Sequence, residues 1–325
     1  MLKVGLIGAG WVTQYHLEGW KRQSSRARVA AIADPSHERA SERARAFGID
    51  RVYASAEALI AAGGVDAIDI AAPREVHAAL VRLAAAQGLP VLCQKPMAPT
   101  LAEARALVAE VAGTRLMIHE NWRFRAWYRQ MHQWMAAGLT GEVTQATMTL
   151  LTSGLLPDAQ GRLPAIERQP FMAHLQRALV MEVLIHHIDT LRFLLGELTL
   201  VDAQLGKQCE RTAGEDRAAL SLRSERGAAV SLVANFCVPG APPMQSDRLM
   251  LIGERSTLRL KGDTLSCMGA EPMELKYDMQ ACYGDSYADA IAHFVDALLA
   301  DSPFETSPLD NLRTLELVEQ IYARG

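Results

Sequence analysis

The sequence lacks a basic excess, long apolar runs and paired cysteines, and each absence excludes a class of protein. Its 33 Lys and Arg residues stand against 37 Asp and Glu residues, a net charge of −4, so no basic surplus exists to neutralise a nucleic acid or an anionic bilayer. No apolar run reaches the roughly 18 residues that a membrane span requires. The five cysteines are odd in number and form no C-x-x-C pair, which argues against a disulfide framework or a structural zinc site. We therefore expect a soluble, cytoplasmic protein with no nucleic-acid and no membrane partner.

The length of 325 residues predicts two domains, because a typical domain has roughly 150 residues. Half of the residues are apolar and 22% are charged, which is typical of a globular protein and excludes a disordered or collagen-like chain. In the first 120 residues, alanine-rich helical segments alternate with short β-rich runs, at residues 2–7, 28–33, 66–71, 90–92 and 115–119. This alternation predicts an α/β domain over residues 1–122, a Rossmann doubly wound parallel sheet.

The sequence pattern changes after residue 122. The predicted elements are, in order, a helix at 126–137, a strand at 142–151, a loop rich in Gly and Pro at 152–171, a long helix at 174–195, several strands between 198 and 277, and helices at 287–299 and 309–323. Strands in succession with helices at either end predict an α+β domain over residues 123–325, built on an open, mostly antiparallel sheet.

A glycine-rich turn follows the first predicted strand and opens a helix. Gly8 permits the tight turn, and Gly10 lets the backbone approach a pyrophosphate at the helix N-terminus, while Thr13 stands where a third glycine is usual. Asp34 closes the second strand, where a carboxylate would accept hydrogen bonds from an adenosine ribose. The structural alternatives are an ordinary strand-to-helix turn and an aspartate-initiated turn or helix cap. The two features together favour dinucleotide binding.

Asp34 also indicates which dinucleotide is bound. A carboxylate repels a 2′-phosphate, and the next residues, Pro35 and Ser36, supply no arginine to attract one. NAD is therefore the predicted cofactor and NADP the less favoured one, although Arg39 could reach a 2′-phosphate.

Lys95 is the first candidate for chemistry. The segment Cys93-Gln94-Lys95-Pro96 follows a predicted strand, at the carboxyl edge of the sheet where open α/β folds bind ligands. A lysine fixed there by the following proline could hydrogen-bond a substrate hydroxyl. The alternative is a solvated loop lysine, which is the commoner situation of any single lysine.

The long predicted helix carries the second candidate. Glu182, His186 and Asp189 are spaced i, i+4 and i+7, which places them on one helix face, whereas His187 points to another. A histidine between two carboxylates suits a general base near neutral pH. The alternatives are a surface helix with salt-linked acids, a buried histidine with one satisfied hydrogen bond, and a metal site. No cysteine or second histidine stands at ligand spacing on that face, which argues against the metal.

Taken together, these pieces resemble the family of glucose–fructose oxidoreductase, inositol dehydrogenase and the rhizopine-catabolism dehydrogenase (Gfo/Idh/MocA). The resemblance covers both predicted domains. The matching segments, in the order of the family, are Gly8-Ala9-Gly10 with His16, Ala71-Ala72-Pro73 with His77, Gln94-Lys95-Pro96, Asn121-Trp122-Arg123-Phe124, and His186-His187-Ile188-Asp189 within residues 182–196.

This resemblance implies a role for individual residues. Lys95 matches the lysine that positions the substrate hydroxyl, His186 the proton-transfer histidine, and Asp189 the trailing acid of the helix. Two residues depart from the family pattern: Gln94 replaces the usual glutamate, which removes a negative charge beside Lys95, and Glu182 replaces a common aspartate. We therefore expect four catalytic residues and no metal. The catalytic set is Lys95, Glu182, His186 and Asp189, and the expected cofactor-binding set is Gly8, Gly10, Trp11, Val12, Asp34, Ala72, Pro73, His77, Gln94, Lys95 and Asn121.

The resemblance further implies a substrate that is a sugar, a cyclitol or one of their acids, and a homodimer or homotetramer formed through the open face of the second sheet. We expect His186 to remove the hydroxyl proton while Lys95 holds that oxygen, and the carbon-bound hydrogen to leave as hydride to NAD. Three alternatives stay open: a hydrolase or isomerase that retains its NAD, a non-catalytic NAD sensor, and a methyltransferase that uses S-adenosylmethionine. The last two do not call for Lys95 paired with His186.

Overall fold

A computed structural model describes residues 1–244, 247–269 and 272–325 of the chain. These residues divide into two units. The first unit comprises Met1–Phe124 and Tyr283–Leu315, and the second comprises Arg125–Cys282 and Glu316–Gly325. The sequence had assigned residues 123–325 to one domain, so the return of the chain to the first unit at Tyr283 differs from that division.

The first unit is built on a six-stranded sheet with the order β3-β2-β1-β4-β5-β6, in which every pair of neighbours is parallel. This order confirms the predicted doubly wound Rossmann sheet. Its elements are β1 (Leu2–Ile7), α1 (Thr13–Arg22), β2 (Ala27–Ala33), α2 (His37–Phe47), β3 (Arg51–Tyr53), α3 (Ala56–Ala62), β4 (Ala67–Ile70), α4 (His77–Ala85), β5 (Val91–Gln94), α5 (Leu101–Glu110) and β6 (Leu116–His119).

The position of β1 explains where a ligand site forms in this sheet. β1 pairs with β2 on one side and β4 on the other, so the chain leaves these strands in opposite directions. A crevice forms at such a switch point, outside the carboxyl ends of the strands. The segments that follow β1, β2, β4, β5 and β6 therefore lie at one edge of the sheet.

The second unit contains an eight-stranded sheet with the order β14-β13-β12-β11-β7-β10-β9-β8. Only β10 and β7 pair in parallel, so the predicted mostly antiparallel sheet is confirmed. Its elements are α6 (Ala126–Ala136), β7 (Val143–Leu151), α7 (Pro164–Arg168), α8 (Ile185–Leu195), β8 (Leu198–Gly206), β9 (Arg217–Ser224), β10 (Ala229–Asn235), β11 (Asp247–Gly253), β12 (Ser256–Lys261), β13 (Thr264–Gly269) and β14 (Met273–Lys276).

Two C-terminal helices, α9 (Met279–Leu299) and α10 (Pro308–Arg324), each contribute residues to both units. In the first unit, Ile291, Phe294 and Val295 of α9 are fully buried with Val4 and Leu92 in one apolar cluster. Burial of this apolar face against the first sheet explains why residues 283–315 do not belong with the second sheet. None of the helices in the described ranges is both long and apolar enough to span a membrane.

The predicted single helix over residues 174–195 is wrong in its first part. Pro170–His174 is a short 3₁₀ turn, Leu179–Leu184 is π-helical, and the α-helix begins only at Ile185. The carboxylate of Glu215 accepts hydrogen bonds from the backbone N–H groups of Ala178 and Val180, so it satisfies donors that a helix start leaves unpaired. A sequence period of 3.6 residues cannot detect a π segment, and such segments are frequent at functional sites.

Candidate functional site

The glycine turn after β1 is shaped by its contact with the end of β4. Gly8 has a φ of +110°, and a Cβ built at this position would overlap the carbonyl oxygen of Ala71. Both the positive φ and this close approach require glycine. The turn and the segment Ala72-Pro73 therefore lie side by side at the carboxyl edge of the sheet.

The space beside Gly10 tests whether a dinucleotide fits this edge. A Cβ built on Gly10 meets no atom within 4 Å, so the backbone there faces open space. The first turn of α1 carries no acidic residue, and Val12 at its N-cap makes no side-chain capping hydrogen bond. A helix start with no side-chain cap and no acidic residue in its first turn suits the pyrophosphate of NAD.

Thr13, in place of the usual third glycine, is fully buried and fits into the turn. Its hydroxyl donates a hydrogen bond of 3.1 Å to the carbonyl oxygen of Gly8. The departure from the usual glycine pattern therefore ties the start of α1 to the glycine turn.

Asp34 stands at the end of β2 and is almost completely buried. Its Oδ2 accepts a hydrogen bond of 2.8 Å from the backbone N–H of Ala9, and its Oδ1 accepts one of 2.7 Å from that of Ser36. The exposed guanidinium of Arg39 lies 3.2 Å from Oδ1. The carboxylate is thus fixed against the glycine turn, where it can accept from the hydroxyls of an adenosine ribose.

Lys95 follows β5 directly, and its side chain is only partly buried. The two ring nitrogens of His77 each lie 2.8 Å from a carbonyl oxygen, that of Pro96 and that of Ala72. Burial is the largest influence on this ring and lowers the pKa of His77. The neutral ring that results near pH 7 donates to one carbonyl at a time. His77 therefore links the turn of Lys95 to the end of β4.

Three further sequence-predicted residues lie at this edge. Asn121, after β6, is buried and donates a hydrogen bond of 2.8 Å to the hydroxyl of Ser286 on α9. Trp11, next to Gly10, is 46% exposed and contacts the ring of Tyr15 edge-on at 5.1 Å. Gln94 is buried, with its amide nitrogen directed at His16 and His119. The first unit thus collects every predicted cofactor-binding residue together with Lys95.

The predicted acid–histidine row belongs to the second unit. Glu182 is partly buried in the π-helical segment, and His186, 8% exposed, stands at the second position of α8. Asp189 is fully buried and lies 4.0 Å from the guanidinium of Arg192 on the same helix. Because Glu182 and His186 are separated by the junction between π and α geometry, their alignment differs from the uniform 100° step that predicted it.

His187 faces a buried carboxylate that sequence reasoning missed. Its Nε2 lies 2.9 Å from Oδ1 of Asp247, and its Nδ1 lies 3.0 Å from the carbonyl oxygen of Val183. Asp247 also accepts a hydrogen bond of 2.8 Å from the Tyr128 hydroxyl and lies 3.4 Å from Arg125. Burial alone would raise the pKa of Asp247, but His187, Arg125 and Tyr128 outweigh it and hold that pKa well below its ordinary value.

A second buried carboxylate, Asp69 in β4, was also missed. It accepts hydrogen bonds from His16 and Trp20, both on α1. An aspartate within the strand Ala67–Ile70, in which every residue is buried, was a signal available in the sequence, because an acidic side chain in such a strand needs polar partners. No comparable local signal marked Asp247. Within the described ranges of the chain, no group of three or more His, Cys, Asp or Glu side chains could hold a metal ion.

Comparison with known proteins agrees with these features. The profile of an oxidoreductase family with an NAD-binding Rossmann fold (GFO_IDH_MocA) matches residues 2–121, and that of the GFO/IDH/MocA C-terminal domain matches residues 128–259. A D-apiose dehydrogenase of Paraburkholderia graminis is 32% identical over 335 residues, which cover 98% of this chain and 86% of the relative. Another D-apiose dehydrogenase, of Rhizobium rhizogenes, is 30% identical, with 99% and 94% covered.

Among solved structures, an oxidoreductase from Agrobacterium radiobacter, in complex with NAD+, L-tartaric acid and magnesium, resembles this chain with a TM-score of 0.91. The two are 29% identical, and the match covers 99% of this chain and 96% of the other. The family profiles and the relatives that match over nearly the whole chain show that this protein belongs to the Gfo/Idh/MocA family of oxidoreductases and has its NAD-binding Rossmann fold.

Proposed function

We propose that this protein is an NAD-dependent dehydrogenase that oxidises a CH–OH group of a sugar, a cyclitol or a sugar acid. The observation that carries the proposal is the similarity over nearly the whole chain to two proteins named D-apiose dehydrogenase. The similarity to an oxidoreductase solved with NAD+ and L-tartaric acid, a hydroxy acid, supports the same class of substrate.

The proposed role of the first unit is to bind the cofactor and one substrate oxygen. Gly8, Gly10 and the start of α1 would receive the pyrophosphate, and Asp34 the adenosine ribose. When bound, NAD supplies the acceptor for the carbon-bound hydrogen as hydride. Lys95, a partly exposed residue on a turn that His77 contacts, would hydrogen-bond the oxygen of the reacting hydroxyl.

The proposed role of the second unit is to remove the proton of the substrate hydroxyl. His186 would take the hydroxyl proton as general base, while the carbon–hydrogen bond breaks and a carbonyl forms. Glu182 and Asp189 would stabilise the imidazolium that results, because carboxylates near a histidine favour its charged form. We retain all four as the proposed catalytic set.

NAD is proposed over NADP because of the place of Asp34. Its carboxylate is held by two backbone N–H groups and paired with Arg39. A 2′-phosphate at this position would meet a fixed negative charge, whereas a 2′-hydroxyl can donate to it.

A homodimer or homotetramer is proposed from the open face of the second sheet. Along β9 the side chains alternate, with Leu220 and Leu222 buried and Ala219 and Ser221 exposed. One face of the sheet is thus covered within the unit and the other is available to a second copy of the chain. Size-exclusion chromatography with light scattering tests this proposal, and a monomer at micromolar concentration contradicts it.

A screen of sugars, cyclitols and aldonic acids with NAD and NADP tests the function, with the absorbance of the reduced cofactor as readout. D-Apiose, myo-inositol and L-tartaric acid belong in it. Oxidation of one of these classes, with NAD preferred, supports the proposal. A protein that purifies with tightly bound NAD and never yields net NADH would instead be a hydrolase or isomerase that oxidises its substrate transiently.

Variants test the proposed roles on the substrate that the screen identifies. His186→Ala and Lys95→Ala should each lower kcat by roughly 10²–10⁴, and His186→Ala should keep the affinity for NADH. Because both residues would act in one step, the fold-loss in kcat of the double variant should be much smaller than the product of the two single fold-losses. His174→Ala, at an exposed histidine of the same unit as His186, is the matched control. Wild-type turnover in His186→Ala would refute the role of that histidine.

A further inference from the structure

A chain of buried hydrogen bonds in the first unit begins at the carboxylate of Asp69. This residue is fully buried in β4. Its Oδ2 accepts a hydrogen bond of 2.6 Å from the indole N–H of Trp20 and one of 2.8 Å from Nδ1 of His16. A buried carboxylate accepts but cannot donate, so Nδ1 of His16 carries a proton.

The chain continues from His16 to the end of β5. The amide nitrogen of Gln94 lies 2.7 Å from Nε2 of His16 and 3.1 Å from Nδ1 of His119. An amide nitrogen carries two hydrogens, so Gln94 donates to both imidazoles at once. The ring of Tyr287, from α9, lies within 5.7 Å of the His16 ring and 5.1 Å of the His119 ring, and covers the pair.

The donors and acceptors along this chain follow one order. Trp20 and His16 donate to Asp69, and Gln94 donates to His16, so each buried polar atom of these contacts has a partner of the opposite kind. Polar side chains are costly to bury, and an apolar set would fill a plain core at lower cost. A polar chain at this depth therefore indicates a purpose beyond filling space.

The chain ends one residue before Lys95. Consecutive Cα atoms are about 3.8 Å apart, so fixing the Gln94 side chain by two hydrogen bonds restrains where the Lys95 backbone lies. On the other side of Lys95, the carbonyl of Pro96 contacts His77. The backbone of Lys95 is thus held from both sides, and the residue is partly exposed.

We propose that Asp69, His16 and Gln94 are positioning residues that act through one another to place Lys95 for its contact with the substrate oxygen. The inference rests on the role of Lys95 in the proposed function. It assigns to Gln94 the donor end of a directed hydrogen-bond chain.

The direction of the chain gives a sharp test. In Asp69→Asn the amide N–H that replaces Oδ1 faces Nδ1 of His16, 3.0 Å away, and this nitrogen already carries a proton while Gln94 donates to Nε2. To relieve this contact, the Gln94 amide must turn over or the His16 ring must move, and either change alters the hydrogen bonds that fix Gln94. Because a displacement of about 1 Å at a reacting group can cost 10²-fold in rate, we expect kcat to fall about 10- to 100-fold. The affinity for NADH should be unchanged.

A second substitution should restore the chain in the opposite direction. In the double variant Asp69→Asn/Gln94→Glu, the new amide donates to Nδ1 of His16 and the new carboxylate accepts from Nε2. The double variant should recover most of the kcat lost in Asp69→Asn. Amide hydrogen exchange of the peptide over residues 91–98 should rise in the single variant and return toward wild type in the double variant.

The controls separate positioning from a general loss of structure. Asp66→Asn, at an exposed aspartate just before β4, should leave kcat unchanged. Gln94→Met keeps the volume but removes both donated hydrogen bonds, so it tests the same link if Asp69→Asn does not fold. A kcat of wild-type size in folded Asp69→Asn or Gln94→Met, or a double variant no more active than Asp69→Asn, would overturn the proposal.

Lys95→Ala distinguishes a failure of the positioning proposal from a failure of the proposed function. If Lys95→Ala is inactive while Asp69→Asn and Gln94→Met are fully active, only the positioning chain is refuted. If Lys95→Ala keeps its turnover, the role of Lys95 is refuted, and with it the purpose assigned to the chain.

Discussion

Replacement of Asp247 by asparagine should destabilise the second unit by a defined amount. The carboxylate is 2% exposed and is contacted by His187, Tyr128 and Arg125. Asparagine keeps one acceptor oxygen but replaces the other with an amide N–H, which then faces donor groups of these contacting side chains. It also removes the negative charge that the buried guanidinium of Arg125 faces.

The magnitude follows from these contacts. A hydrogen bond to a charged group contributes about 1.5–3 kcal/mol, and removing one partner of a buried ion pair costs about 3–5 kcal/mol. Since asparagine retains part of the hydrogen bonding, we expect a loss of about 3 kcal/mol in the free energy of opening. That loss corresponds to an acceleration of roughly 150-fold in the exchange of protected amides in α8, at 1.4 kcal/mol per factor of ten.

Hydrogen exchange measured by mass spectrometry on peptides within Ile185–Leu195 checks this value without requiring that the two units unfold together. Asp202→Asn, at an exposed aspartate of β8, is the matched control and should change the free energy by less than about 0.5 kcal/mol. If exchange in α8 is as slow in Asp247→Asn as in this control, the network around Asp247 does not hold the helix.

The same carboxylate should contribute to acid sensitivity. Its pKa in the folded protein is lowered, so its stabilisation is fully present above the pKa of an unfolded aspartate, about 4, and is lost as the pH falls toward the folded-state pKa. The stability difference between wild type and Asp247→Asn in urea unfolding should therefore shrink by about 1.4 kcal/mol per pH unit below about pH 4. A difference that stays constant from pH 6 to pH 3 would contradict the lowered pKa.

Three further predictions concern the cofactor site. Gly10→Val should fold normally, because nothing lies within 4 Å of a Cβ there. It should weaken NADH binding at least about tenfold in a fluorescence titration, because the side chain fills the space for the pyrophosphate. An unchanged affinity would place the pyrophosphate elsewhere. Gly8→Ala should lower the free energy of unfolding by about 1–3 kcal/mol, because φ at this position is positive and the new Cβ would overlap the carbonyl of Ala71. A melting temperature equal to that of wild type would contradict this strain. Asp34→Ser should raise the ratio of kcat/KM for NADP to that for NAD, because it removes a fixed negative charge and releases Arg39; an unchanged ratio would show that Asp34 does not select the cofactor.

The fold was largely predictable because its strongest signals are local. The apolar run of β1, the glycine turn and the alternation with alanine-rich helices lead directly to a doubly wound sheet. The strand β3 was missed because it has three residues. The return of α9 to the first sheet depends on packing between residues about 200 to 290 positions apart, which no local period records.

In the candidate site, too, the residues with a local signal could be predicted and those brought together by tertiary packing could not. Gly8, Gly10 and Asp34 could be named from the sequence because their chemistry requires fixed positions relative to a strand end. Their placement at one edge of the first sheet is observed, whereas their roles, like those of Lys95 and His186, stay predictions. The two buried carboxylates could not be placed, because Asp69 meets His16 across 53 residues and Asp247 meets His187 across 60 residues. Only the tertiary fold creates these pairs.

The two carboxylates occupy corresponding places in their units. Lys95 is preceded by Gln94, which is linked through His16 to Asp69, and His186 is followed by His187, which is linked directly to Asp247. Restraint of the adjacent residue helps to fix a reactive side chain, since the backbone transmits the restraint along the chain. On this reasoning, substitutions at Asp69 and Asp247 should lower turnover more than they weaken the binding of either NADH or substrate.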